Sequence, residues 1–230
     1  MIKAGLFECD HIESAYYDQF GDYSDMFARL LPELEWKFYD VYNGDFPTDL
    51  NECDVYFATG SHHSVYESID WIEQLKIMIR ELAQLDKYFV GCCFGHQALG
   101  EAMGGKVIKS PKGWCVGVHE FTVGETTTWM QPPQSAINLL MMCQDQVVEL
   151  PPNTKVLAGN EKCSIGIMQI GEKMLGIQAH PEFLKSYDQL LMEKRRDRMG
   201  ENVVNAGIAS LEKEVHREQI RQWILNFLNC

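Results

Sequence analysis

The chain is short of positive charge and lacks the landmarks of several large protein classes. Its 230 residues carry 20 Lys and Arg against 33 Asp and Glu, a net charge of −13. Such a surface repels nucleic acid and anionic membrane at long range, so neither is expected as a partner. No apolar run approaches the ~18 residues that cross a bilayer. The start Met1-Ile2-Lys3-Ala4-Gly5-Leu6-Phe7-Glu8-Cys9-Asp10 meets acid too soon for a secretory signal, and a cytoplasmic protein is expected. The 8 cysteines form no C-x-x-C pair and no zinc-ligand spacing, so most read as reduced, buried fillers. His62-His63 stands without a ligand-spaced carboxylate or cysteine pattern, and no metal is implied. Neither a G-x-x-x-x-G-K-[ST] loop nor a dinucleotide fingerprint occurs, so no cofactor is expected. With no repeat, low-complexity tract or clear linker, and with 46% hydrophobic residues, residues 1–230 read as one domain with one sizeable core.

What is present alternates between strand and helix patterns. Residues 2–7, 36–41, 54–58 and 88–90 read as strands, and 22–31 as a helix. Apolar residues at 71, 72, 75, 78, 79, 82 and 85 predict a helix with one buried face. Strand, helix, strand, helix in this order predict an α/β fold, a mostly parallel sheet flanked by helices with ligands at the carboxyl ends of the strands. Beyond residue 105 the pattern changes to short strands at 106–108, 116–123, 155–158, 163–170 and 173–178. The last two form a hairpin across Ile170-Gly171-Glu172-Lys173 that adds an antiparallel element to the main sheet. Apolar positions 211, 215, 220, 223, 224, 227 and 228 predict a C-terminal helix docked on the sheet. The one locally basic run, Glu193-Lys194-Arg195-Arg196-Asp197-Arg198, is read as a solvated helix face.

Gly91-Cys92-Cys93-Phe94-Gly95-His96-Gln97 follows the apolar strand 88–90 and opens a helix over 97–103. Glycines two before and two after Cys93 make a G-x-nucleophile-x-G elbow with a thiol in the nucleophile's place. A side chain at either glycine would block the turn or the packing of helix on strand. The thiol is thereby lifted to a helix N-terminus, which favours the thiolate and offers N–H donors to an oxyanion. Cys92 points to the other face and reads as core. A base is available in His180-Pro181-Glu182, where an extended backbone turns His180 and Glu182 to one side so that a carboxylate can orient the imidazole.

Gly91-x-Cys93-x-Gly95-x-Gln97 together with His180-Pro181-Glu182 resembles the glutaminase domain of the class I (triad) glutamine amidotransferases, over nearly the whole chain. Gly21-Asp22-Tyr23-Ser24-Asp25-Met26-Phe27, Thr59-Gly60-Ser61-x-x-Ser64-Val65-Tyr66 and Gly113-Trp114-x-Val116-Gly117 look closest to free-standing GMP-synthase-like members, which are similar to γ-glutamyl peptidases. The resemblance implies a flavodoxin-like sheet and hydrolysis of a γ-glutamyl amide through a thioester on Cys93, with His180 and Glu182 completing a triad. It implies an oxyanion hole from the N–H groups of Gly60 and Phe94. It also implies that Gln97 and the backbone of Trp114, Cys115 and Val116 hold the glutamyl amino and carboxylate groups. The substrate is then a small γ-glutamyl compound, and three readings stay open: a glutaminase serving a separate synthetase chain, a stand-alone γ-glutamyl peptidase, and a non-enzymatic relative. Synthetase-coupled members tend to carry a histidine where this chain reads Met142-Cys143-Gln144-Asp145-Gln146, and many carry Gly-Gly-Pro in the oxyanion loop, which is absent here. Both departures point to a free-standing hydrolase.

Overall fold

The computed structural model describes residues 1–229; Cys230 lies outside the described residues. The first half alternates β1 (Lys3–Phe7), the single turn α1 (Tyr17–Phe20), α2 (Tyr23–Leu30), β2 (Glu35–Tyr39), β3 (Val55–Ala58), α3 (Asp70–Gln84), β4 (Tyr88–Cys92) and α4 (Phe94–Ala102). The second half runs through β5 (Lys106–Lys109), β6 (Cys115–Val123), β7 (Ala136–Cys143), β8 (Asp145–Glu149), β9 (Thr154–Gly159), β10 (Ile167–Ile170) and β11 (Met174–Ile177). It ends in α5 (Lys185–Lys194), α6 (Arg196–Met199), α7 (Glu201–Ser210) and α8 (Arg217–Asn229).

Among the described residues one sheet of 9 strands runs β2-β1-β3-β4-β11-β10-β9-β6-β7. The strands from β2 to β11 are parallel, and those from β10 to β7 are antiparallel. The central strands β3, β4 and β11 are apolar runs buried on both faces, as parallel strands covered by helices must be. Alternate side chains serve the two faces. Leu6, Phe57, Val90 and Leu175 pack with Phe27 of α2 and with Trp223 and Phe227 of α8. Phe7, Tyr56, Phe89 and Met174 pack with Trp71, Ile72 and Ile79 of α3 and with Phe94 and Leu99 of α4. Asp22 starts α2 as a capping box, its side chain accepting from the N–H of Tyr23 while Asp25 accepts from the Asp22 N–H at 2.9 Å.

The architecture is the expected α/β sheet, and the hairpin of β10 and β11 pairs Ile170 with Met174 as anticipated. The antiparallel portion is larger than the sequence suggests. β7 pairs with β6 over the whole of Ala136–Cys143, and β5 and β8 form a separate 2-stranded sheet. Residues 163–166 are not strand, because Asn160 Oδ1 accepts from the N–H groups of Lys162 and Cys163 and curls the chain before β10. Leu211 closes α7, and the C-terminal helix begins only at Arg217.

Candidate active site

Strands β3, β4 and β11 are adjacent and parallel, so the segments leaving their carboxyl ends lie side by side. Those segments carry Gly60, Cys93 and His180. Cys93 sits between β4 and α4 with φ +50° and ψ −103°, a strained conformation for a non-glycine residue. Its N–H donates to the carbonyl of Ile177 at 2.9 Å, which ties the elbow to β11. The flanking glycines are required by the close approach of α4. A Cβ on Gly91 would strike the Gly95 backbone, and one on Gly95 would lie 2.5 Å from the Ala58 carbonyl oxygen. Cys92 is fully buried in the core, where burial drives its thiol well above the ordinary range.

His180 is 4% exposed and Glu182 is 1% exposed. The His180 Nδ1–H donates to Glu182 Oε1 at 2.8 Å, and the His180 main-chain N–H donates to the Leu140 carbonyl at 2.9 Å. The imidazole stacks on Phe183 with ring centroids 3.9 Å apart. With Nδ1 committed to the carboxylate, Nε2 is the free nitrogen, buried and without a well-formed hydrogen bond among the described residues. Burial works against the imidazolium, yet the charges of Cys93 and Glu182 outweigh it and push the His180 pKa up to about 10. Cys93 lies beside that ring nitrogen and helps to hold the imidazolium both by its charge and as a loose hydrogen-bond partner, the geometry usual before substrate binds. His96, the other buried histidine near the elbow, packs against Gly176, and burial brings its pKa down to about 4, so it stays neutral.

Gly60 packs against both partners: a Cβ there would lie 2.9 Å from His180 Cε1 and 3.7 Å from Cys93 Cβ. Phe94 opens α4, so its N–H has no acceptor within the helix. Cys93 opens onto a cavity of about 120 Å³ that is also lined by Ser64, Gln97, Trp114, Asp145 and Arg195. Gln97 Nε2 donates to the Asp145 carbonyl at 2.8 Å and to Gln178 Oε1 at 3.2 Å, which leaves Gln97 Oε1 as its uncommitted polar atom. The Cys115 and Val116 side chains are buried within β6, away from the Cys93 cavity, so any contact of theirs with a ligand there falls to the backbone. The loop after β3 is fastened across the cavity. Ser64 Oγ donates to Asp145 Oδ2 at 2.5 Å, and Tyr66 Oη donates to Asp145 Oδ1 at 3.2 Å. His62 and His63 engage different carboxylates, Asp10 at 2.8 Å and Glu67 at 2.9 Å.

Sequence reasoning missed three groups here. Asp145 was noted only for its neighbours, although its role as an anchor depends on a pairing between residues 81 apart. Asp188 of α5 is fully buried, neither carboxylate oxygen has a well-formed hydrogen bond among the described residues, and burial pushes its pKa up to about 7 against the charge of His180. The basic run, read as a solvated face, divides instead. Lys194 pairs with Glu13, and Arg196 pairs with Glu193 and Glu201, while Arg195 and Arg198 line the Cys93 cavity. The break between α5 and α6 at Arg195 redirects them, and no periodicity announces it.

Comparison with known proteins agrees with the fold. The family description "Glutamine amidotransferase class-I" matches residues 18–195. The chain is 31% identical over 222 residues to "Gamma-glutamyl peptidase 4" of Arabidopsis thaliana, covering 91% of this chain and 88% of that protein. It is 30% identical to the "GMP synthase [glutamine-hydrolyzing]" of Azoarcus sp., covering 69% of this chain but 32% of that longer protein. Among solved structures, a glutamine amidotransferase from Thermotoga maritima superposes with a TM-score of 0.80 at 16% identity, covering 100% of this chain and 99% of that one.

Proposed function

The chain belongs to the class I glutamine amidotransferase family, and from that premise we propose that it hydrolyses a γ-glutamyl amide through a Cys93 thioester, acting as a single catalytic domain without a partner subunit. The observation that carries this reading is the buried 2.8 Å hydrogen bond from His180 to Glu182, with Nε2 left free beside Cys93 on the strained elbow. Cys93 as thiolate attacks the γ-carbonyl carbon, and the N–H groups of Gly60 and Phe94 take up the oxyanion. As the C–N bond breaks, His180 passes its Nε2 proton to the departing amine. His180 then accepts a proton from water, whose oxygen attacks the thioester. The C–S bond breaks, glutamate leaves, and the thiolate and imidazolium are restored. Glu182 holds Nδ1 and balances the cation throughout. Gln97 Oε1 and the backbone of Trp114, Cys115 and Val116 hold the glutamyl ammonium and carboxylate.

Two features favour independent action over ammonia delivery to a synthetase. Ser64 and Tyr66 fasten the loop that follows Gly60 to Asp145 within this chain, which supports a hole assembled without a second protein. Relatives named γ-glutamyl peptidase also align over most of their length. The cytoplasm suits the site, since the free, buried cysteines around Cys93 need a reducing compartment. The test is release of glutamate from glutamine and from γ-glutamyl dipeptides by the purified protein. Turnover that disappears in Cys93→Ala supports the reading, and inertness toward the whole panel contradicts it.

A further inference from the structure

The chain carries an excess of acid, and most of its cations near α5 and α6 are neutralised by neighbours. Lys109, Arg195 and Arg198 are exceptions: all three line the Cys93 cavity, and none makes an ion pair or side-chain hydrogen bond among the described residues. Arg198 is held instead over the Trp114 ring, 5.1 Å from its centroid, which fixes the guanidinium without neutralising it. Arg195 is half-buried at the cavity wall, with no acid of the described residues within ion-pair distance. Trp114 also walls a second cavity of about 420 Å³ lined by Val203, Ala206 and Gly207 of α7, so open space lies on both sides of the ring that carries Arg198.

Resting on the hydrolase reading above, we infer that Arg195 and Arg198, aided by Lys109, form an anion subsite for the departing half of the substrate and select γ-glutamyl compounds whose amine bears a carboxylate. With the glutamyl ammonium and carboxylate held by Gln97 and the backbone of Trp114, Cys115 and Val116, the charge of these cations is left for a second acid. Ammonia from glutamine has nothing to present to them, and a cationic polyamine would be repelled. Arginine suits the role, because its planar fork matches a carboxylate in a bidentate pair. The two arginines are specificity-determining residues and take no part in bond making.

The experiment compares γ-glutamylglycine with γ-glutamylmethylamide, which share the scissile amide and differ in the carboxylate of the departing amine. The wild-type protein is expected to prefer γ-glutamylglycine in kcat/KM, and added salt should erode that preference. In an Arg195→Gln, Arg198→Gln double variant the ratio of the two kcat/KM values should fall by roughly 10- to 100-fold, mostly through KM. Equal losses on both substrates in a variant with an unchanged melting curve, or no wild-type preference, would overturn the subsite while leaving the hydrolase intact. Inertness of the wild-type protein toward both compounds and glutamine would instead overturn the hydrolase reading and the subsite with it.

Discussion

Gly60 and His180 approach so closely that a methyl group on the glycine would lie 2.9 Å from imidazole Cε1. Gly60 does not sit at positive φ, so alanine is not strained there by its backbone; the cost falls on the ring beside it. Gly60→Ala should lower kcat by about 100-fold, the effect of misplacing a catalytic group by roughly an ångström. Its melting temperature should change little. A large stability loss with activity retained per folded molecule would remove Gly60 from the site.

Glu182 is proposed to orient His180 without reacting. Glu182→Gln should reduce kcat by roughly 10²- to 10⁴-fold, since the amide can hold the wrong tautomer. His180→Ala should cost more, because it removes the proton carrier itself. Pre-steady-state measurement of amine release separates the two, and equal, negligible effects would dissolve the triad.

The pH dependence follows from the same pair. Burial opposes the His180 cation, while Cys93 and Glu182 hold it protonated up to about 10. Its contribution to stability is therefore full below the ordinary imidazole range and is lost as pH rises through about 10. The alkaline limb of kcat/KM should lie in that region, and in Glu182→Gln it should move to lower pH. A limb that stays in place in the variant would contradict the charge coupling.

Asp188 supplies a prediction of stability alone. Its buried carboxyl holds a proton up to about 7. The unfolded chain releases that proton near the ordinary carboxylate range, so the folded state loses stability as pH rises through about 7. Asp188→Asn removes that dependence and should raise the melting temperature at pH 8 more than at pH 5. Equal shifts at both pH values would mean that the carboxyl is already charged.

The local geometry was legible in the sequence wherever a residue's neighbours in the chain are also its neighbours in space. The glycines around Cys93 and the extended His180-Pro181-Glu182 state their geometry within a few residues, and the parallel core announces itself in apolar runs such as 88–90. β7 was missed because Ala136–Cys143, although buried, follows a long loop and is defined by its pairing with β6. The clasp of Ser64 and Tyr66 on Asp145 and the inward turn of Arg195 and Arg198 belong to the tertiary arrangement. A basic run reads the same whether its charges meet solvent or a cavity, until the break between α5 and α6 is known.

The central claim is a glutamyl thioester on Cys93, and acid-quenched peptide mapping tests it most directly. Wild-type protein mixed with a γ-glutamyl substrate and quenched within one turnover should carry one glutamyl group on the peptide containing Cys92 and Cys93. Fragmentation should place that group on Cys93. The adduct should persist in Cys92→Ala and be absent in Cys93→Ser, which lacks the thiol. A label on Cys92 or on another thiol, or turnover without any adduct in a Glu182→Gln variant slowed enough to accumulate one, would contradict the account.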